Sequence, residues 1–279
     1  DIKQRLASAS YNKMPYDSLD RHGWKLVYQA TFRNLSKIES QAIPIKEFIR
    51  TGIATLRDGI YLVECDSEGY FKQIGTQKIY IEPDLVKPIY KIPDLNQHNK
   101  IDDAKRYIIF PYVRSQNGYT LIDESVFKST FPLTYSCLSM QRKALDSRDK
   151  GKGNPQGWYA YGRTQGLNRY GKKLLFPTFS NKPKFTYVDN EDALFCNGYA
   201  VFENDKYSLD VLERVLNSRL MDYYVSNTSY PIEGGYYCYQ KKYVGRFSLP
   251  RFSETDIGFI LKASKEELNA FLWNYYKLE

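Results

Sequence analysis

The stretch "WYAYGRTQGLNRYGKKLLFP" (158–177) joins a polar, glycine-punctuated segment to an apolar run. The first part holds Arg163 and Arg169, the amides Gln165 and Asn168, and the rings of Trp158, Tyr159, Tyr161 and Tyr170. Three glycines interrupt any helical or strand period, so this part reads as a loop. The second part opens "KKLLFPTF" (172–179), a short apolar run of strand length. Neither part contains a carboxylate or a histidine. Acid–base chemistry needs a group that titrates near neutrality, and none is offered. Forked cations, amides and flat faces suit phosphates and base edges instead.

Working outward, "KFTYV" (184–188) and "LFCNGYAVF" (194–202) read as further strands. Upstream, "GIATLRDGIYLVE" (52–64) and "FKQIGTQKIYIEP" (71–83) alternate apolar and polar residues and read as neighbouring strands. "RYIIFPYV" (106–113) is a short strand with Pro111 at an edge or bend. Residues 123–149 read as helix, with Pro132 in the first turn of a second part. The loop "DSRDKGKGNPQG" (146–157) ends it. Ser208 caps a helix from Leu209, on which Leu209, Leu212, Leu216, Leu220 and Tyr223 form one core stripe. Ser264 and Glu267 form a capping box for a last helix. Residues 1–20 read as a polar helix with a turn at Pro15. Strands and helices interleave without regular βαβ units. The fold class is therefore α+β, with mixed, twisted sheets and helices packed on them.

The chain has 279 residues, long enough for one or two domains. Its net charge is +8, which favours an anionic partner. The charge is local: from Cys137 to Phe185, eleven Lys and Arg stand against Asp146 and Asp149, and the rest of the chain is nearly neutral. A solvated charged face is the plain alternative. The cysteines, Cys65, Cys137, Cys196 and Cys238, are far apart, and the two histidines, His22 and His98, have no Cys partner nearby. That spacing argues against zinc and fits free thiols in a reducing cytoplasm. No apolar run approaches the length of a membrane span. Because Asp1 stands first, the chain reads as a domain excised from something longer, with 1–23 a lead-in from an upstream domain.

Enzymatic motifs are sparse. Glycine patterns for dinucleotides or nucleotide phosphates are missing. Methyl transfer from S-adenosylmethionine to adenine usually carries an Asn/Asp-Pro-Pro-aromatic tetrapeptide. Asn154-Pro155-Gln156-Gly157 lacks the second proline and the ring. Pro93-Asp94 followed by Asp103-Ala104-Lys105 matches a loose metal-dependent nuclease pattern, but its second half lies in a polar, loop-like run. Tyr236 and Tyr237 follow two glycines in "EGGYY". They could stack on bases or donate to phosphates, or form a plain hairpin with cross-strand tyrosines.

Taken in order, residues 158–185, "NGYAVF" (197–202), "VLNSRLMDYY" (215–224) and "SYPIEGGYYCYQKKYVGRFSLP" (229–250) resemble a known family. It is the TaqI-type C-terminal specificity domain of adenine-specific DNA methyltransferases, found also in restriction enzymes that fuse cleavage with methylation. "GIATLRDGIYLVE", "VKPIYKIPDL" (86–95) and "YIIFPY" (107–112) resemble its first half. The likeness covers roughly residues 24 to 275. It implies one target-recognition domain over 24–279, divisible near residue 122 into 24–122 and 123–279. It also implies an N-terminal methyltransferase domain, absent from this chain, that binds S-adenosylmethionine and flips the adenine. No cofactor and no activity are expected of this chain itself.

The expected partner is double-stranded DNA. Arg163 and Arg169 suit guanine, and Gln165 and Asn168 suit adenine. Lys172, Lys173, Lys241 and Lys242 are expected on phosphates. Ser180, Asn181, Lys182 and Lys184 form a second polar loop, and Thr55 and Arg57 reach towards a groove. Trp158 and Tyr161 are expected to pack the base of their loop. The alternatives are a metal-dependent nuclease using Asp94, Asp103 and Lys105, half of a Type I restriction specificity subunit, and a structural domain with an incidental basic loop.

Overall fold

The structure, a computed structural model, describes residues 27–97, 101–116 and 118–279. The polar helix expected over 1–20, the lead-in, His22 and His98 lie outside the described residues. Contacts cluster into two units, Asp1–Glu47 with Asn181–Pro183 and Arg214–Glu279, and Phe48–Ser180 with Lys184–Glu213. The divide does not fall near residue 122.

The larger unit is built on two sheets. One is mixed and six-stranded, in the order Leu194–Cys196, Val86–Lys91, Lys105–Ile109, Leu62–Cys65, Tyr70–Ile74, Gln77–Tyr80. Its first pair is parallel and the others are antiparallel. The second sheet is antiparallel, in the order Thr186–Val188, Lys173–Pro177, Gly198–Phe202, Ile49–Thr51. The fold is thus α+β.

"LFCNGYAVF" is not one strand. It leaves the first sheet at Cys196 and enters the second at Gly198. Asn197 makes the turn with φ 59°, a conformation that Asn tolerates better than most residues. The "IATLRD" segment is likewise not strand. Asp58–Tyr61 forms one helical turn, and pairing in the six-stranded sheet begins only at Leu62. "FKQIGTQKIYIEP" is mostly a hairpin, turning at Gly75 with φ 59°. Pro111 marks the break between Lys105–Ile109 and Tyr112–Ser115.

The expected helix over 123–149 is three short ones, Glu124–Thr130, Pro132–Ser139 and Arg142–Asp146. Phe131 precedes a proline, which disfavours helical backbone there, and it sits at φ −127°, ψ 59°. Glu82 caps the second helix from outside, accepting from the Leu133 and Thr134 amides at 2.8 Å. Carboxylates there are favoured by the helix dipole.

In the smaller unit, Ile43–Pro44 pairs with Ser248–Leu249, and Pro231–Ile232 with Tyr236–Cys238. Ser253/Asp256 and Ser264/Glu267 cap Glu254–Lys262 and Lys265–Tyr275 as complete capping boxes. Glu279 ties the chain end to the helix Gln29–Glu39 through Arg33 and Lys37.

Ser208 accepts from the Val211 amide at 3.4 Å and so caps Leu209–Leu216. That helix stops at Leu216, and a second runs Arg219–Thr228. Leu209, Leu212, Leu216 and Leu220 are buried as expected. Tyr223 lies at the edge, with its ring 5.1 Å from Trp273.

Candidate nucleic-acid interface

Residues 152–172 form no helix or strand. What holds so long an irregular run is the buried Arg148. Its guanidinium donates to the carbonyls of Leu145 (2.8 Å), Thr55 (3.1 Å), Ala160 (2.8 Å) and Trp158 (2.7 Å), and to the Tyr61 hydroxyl (3.3 Å). Rings complete the base. Tyr161 is fully buried, edge-on to Tyr61 at 5.0 Å, and donates to Ile109 O at 2.6 Å. Trp158 donates to Glu124 at 2.7 Å. Burial pushes the Tyr61 phenol up to about 12, against the pull of Arg148, and the Tyr161 phenol well above its ordinary value. Trp158 and Tyr161 therefore pack the loop's base, as their sequence context suggests.

On this base, the 162–166 segment lies against 52–55. Gly162 N donates to Thr55 O and Arg163 N to Ala54 O, each at 3.0 Å. Gly166, with φ 79°, approaches so closely that a Cβ would stand 2.8 Å from the Gly52–Ile53 peptide. Exposed Arg57, Arg163 and Gln165 come together at this ladder. Arg57 donates to Ser147 Oγ at 3.2 Å. Gln165 makes only a long 3.5 Å contact with Gly52 O. Arg163 is paired with Asp149, which raises the pKa of its guanidinium through their hydrogen bond.

A second group surrounds a cleft of about 610 Å³ that is lined by Arg50, Asn168, Arg169, Tyr170, Lys172 and the run 202–205, among others. Arg169 is exposed, and its side chain has no hydrogen bond or ion pair among the described residues. Asn168 Oδ1 accepts from Tyr119 N at 2.9 Å. Lys172 is paired with Asp189 at 2.8 Å, which raises its pKa. Arg114, an exposed residue of the hairpin Tyr112–Ser115/Gly118–Leu121, lies 5.8 Å from the Tyr170 ring. Sequence reading missed Arg114 and Arg50, since each stands singly in its strand, away from the basic window.

Other expectations change. Thr55 is fully buried; its hydroxyl donates to Asp58 at 2.5 Å and accepts from Arg57 N at 3.0 Å. It shapes the turn and reaches no groove. Lys173 is fully buried, and its ammonium donates to the carbonyls of Asn190, Glu191 and Ala193 at 3.0–3.1 Å. Burial lowers its pKa to about 8. It cannot reach a phosphate from there. Ser180 is buried as well, and Lys184 donates to Leu95 O. Asn181 and Lys182 are exposed.

In the smaller unit, Tyr236 and Tyr237 lie half-buried on a hairpin opposite Ile232 and Pro231, so the hairpin is real but its partners are not tyrosines. Lys241 is half-buried. Lys242 is exposed with its ammonium 4.6 Å from the Tyr243 ring, and hydrogen bonding to Tyr243 raises its pKa.

The basic window is thus partly spent on the fold. Arg148 and Lys173 are inside, and Arg142, Arg163 and Lys172 are paired with Asp146, Asp149 and Asp189. Lys143, Lys150, Lys152, Arg169 and Lys182 remain exposed, without side-chain hydrogen bonds or ion pairs among the described residues.

The nuclease pattern does not assemble. Asp94 is buried and paired with Arg106 at 2.6 Å, and Asp103 sits on a 3-10 turn, Ile101–Ala104. Asn154-Pro155-Gln156-Gly157 is a turn, with Asn154 Oδ1 accepting from Gln156 N (2.9 Å) and its amide donating to Tyr161 O (2.7 Å). These residues staple the loop and do not fit an S-adenosylmethionine site. The four cysteines are unpaired, three of them buried. Among the described residues, no helix is long and apolar enough to cross a membrane.

Known proteins resemble this chain in sequence and in fold. Residues 94–249, more than half of the chain, match the TaqI-like C-terminal specificity domain. The chain belongs to that family. It is 24% identical over 202 residues to the Type II restriction enzyme and methyltransferase RM.Eco57I of Escherichia coli, covering 65% of this chain and 20% of that protein. To the Type II methyltransferase M.XhoI of Xanthomonas vasicola it is 24% identical over 203 residues, covering 72% of this chain and 33% of the other. The chain therefore spans a third or less of these relatives. Its fold is similar to that of the Type IIL restriction-modification enzyme MmeI, solved in complex with DNA, with TM-score 0.53 and 12% identity over 86% of this chain and 33% of that one.

Proposed function

We propose that this chain is the sequence-reading domain of a restriction-modification adenine-specific DNA methyltransferase. Its partner is double-stranded DNA. The observation that carries the reading is two groups of exposed side chains, Arg57, Arg163 and Gln165 at the ladder and Asn168 and Arg169 at the cleft, on irregular backbone whose base is held by a buried scaffold. Rigid loops that offer forks and amides are what base-edge readout requires. Arg169 is the foremost guanine reader, since its fork is uncommitted. Arg163 must exchange Asp149 for a base or a phosphate. Gln165 and Asn168 read adenine, Asn168 through the amide nitrogen its Tyr119 contact leaves over. Lys172, Lys182, Lys241 and Lys242 hold phosphates, with Asn181 in the same polar loop as Lys182, while Tyr236 and Tyr237 serve as stacking faces. Each bidentate contact contributes about 1–3 kcal/mol of discrimination.

Methyl transfer belongs to an N-terminal domain of the same polypeptide. That domain binds S-adenosylmethionine, and this chain closes on the duplex beside it in the cytoplasm. Selection of bound duplexes from a random library tests the reading. A recurring motif is expected, degraded at one position by Arg169→Ala. Recovery of unselected sequence would refute it.

A further inference from the structure

Leu56 is an outlier in its surroundings. It is 42% exposed, and its φ is 60°. A bulky non-glycine residue there is strained, and such residues persist only where neighbours over-determine them. The neighbours do so here. Thr55 and Asn197 both donate to the Asp58 carboxylate, at 2.5 and 2.9 Å. Thr55 O accepts from Arg148 and from Gly162 N. The leucine side chain rests on Gly162, where any Cβ would fall 2.4 Å from Leu56 Cγ. Arg57 follows it in the chain, and Arg163 N donates to Ala54 O, two residues before it.

A turn that needs a left-handed residue would take glycine at no steric cost. Here it carries a four-carbon apolar side chain, 42% exposed, with the exposed Arg57 next in sequence and the exposed Arg163 on the segment that pairs with Ala54. Exposed cations beside it suit phosphates, and a part-exposed apolar tip suits the flat faces of stacked bases. Leu is among the side chains that unstack base steps when inserted. Resting on the reading above, we propose that Leu56 is a wedge that enters a base-pair step of the bound duplex and unstacks it.

Insertion untwists DNA, so the test is a relaxed closed-circular plasmid bound by the chain and treated with topoisomerase I. The wild type is expected to shift the topoisomer distribution, and Leu56→Gly to lose that shift. Glycine relieves the strained backbone, so the variant should melt no lower than the wild type. Fluorescence anisotropy of a random duplex, run in parallel, should show the same salt dependence for both proteins. Equal shifts from both, or none from either while both bind, would overturn the wedge and leave the DNA reading standing. No binding by either at low salt would remove the DNA reading and the wedge with it.

Discussion

Replacing Arg148 should destabilise the protein and loosen its candidate reading loops together. Its guanidinium makes five hydrogen bonds inside the larger unit. Bonds to a charged group contribute about 1.5–3 kcal/mol each, but burying an ion costs several kcal/mol. Two of the four carbonyls also keep a second donor after Arg148→Ala: Thr55 O from Gly162 N and Ala160 O from Tyr61. Trp158 O loses the donor it has. The net loss should be about 2–4 kcal/mol, within the range for breaking a buried network. Arg148→Lys should retain roughly half, because three donors on one nitrogen cannot span the fork's partners. Urea denaturation measures both, and limited proteolysis after Lys150, Lys152 and Arg163 measures the loop. A loss below about 0.5 kcal/mol for Arg148→Ala, with cleavage no faster, would refute the scaffold argument.

Lys173 has a folded pKa near 8, below its ordinary 10.5. The unfolded chain binds more protons between those values, so stability should rise with pH there, by about 1–3 kcal/mol. Unfolding of the wild type minus Lys173→Met, compared at pH 7.5 and about 9.5, isolates the effect below tyrosine ionisation. Glu279 is held down to about 2 by Arg33 first and Lys37 second, against an ordinary 4.5. Its contribution is present above 4.5 and fades as pH falls towards 2, so the stability gap between wild type and Glu279→Gln should close in acid. Arg169→Ala should weaken binding to a random duplex and flatten its salt slope by up to about 1 if the guanidinium meets a phosphate in that mode. Lys173→Met should leave the slope unchanged.

Local signals in the sequence carried far. Ser264 with Glu267 and the "KKLLFP" run behave as their spacing dictates, because caps and strands are settled by near neighbours. The two lysines of that run show the boundary. Both look like surface charge, yet on a strand successive side chains point to opposite faces. Lys172 reaches Asp189, and Lys173 points inward to three carbonyls of the 190–193 turn. Which of the two goes inside depends on a turn some twenty residues away. Arg148 was similarly hidden, since a cation in a glycine-rich loop carries no mark of burial. Asn197-Gly198 did carry a turn signal, but the apolar residues on either side masked the change of sheet. Thr55, in a glycine-flanked segment, reads as a groove contact, and nothing in the local sequence marks the hydrogen bond to Asp58 that buries it.

The most direct test of the central claim is fluorescence anisotropy of this chain on a random-sequence duplex across a salt series. The four lysines assigned to phosphates, Lys172, Lys182, Lys241 and Lys242, set the scale. If each meets one phosphate, log K should fall against log salt with a slope of about −3.6. Alanine at Lys182, Lys241 and Lys242 together should bring that slope to about −1. Binding with a slope near zero, or one that the triple variant leaves untouched, would contradict the account.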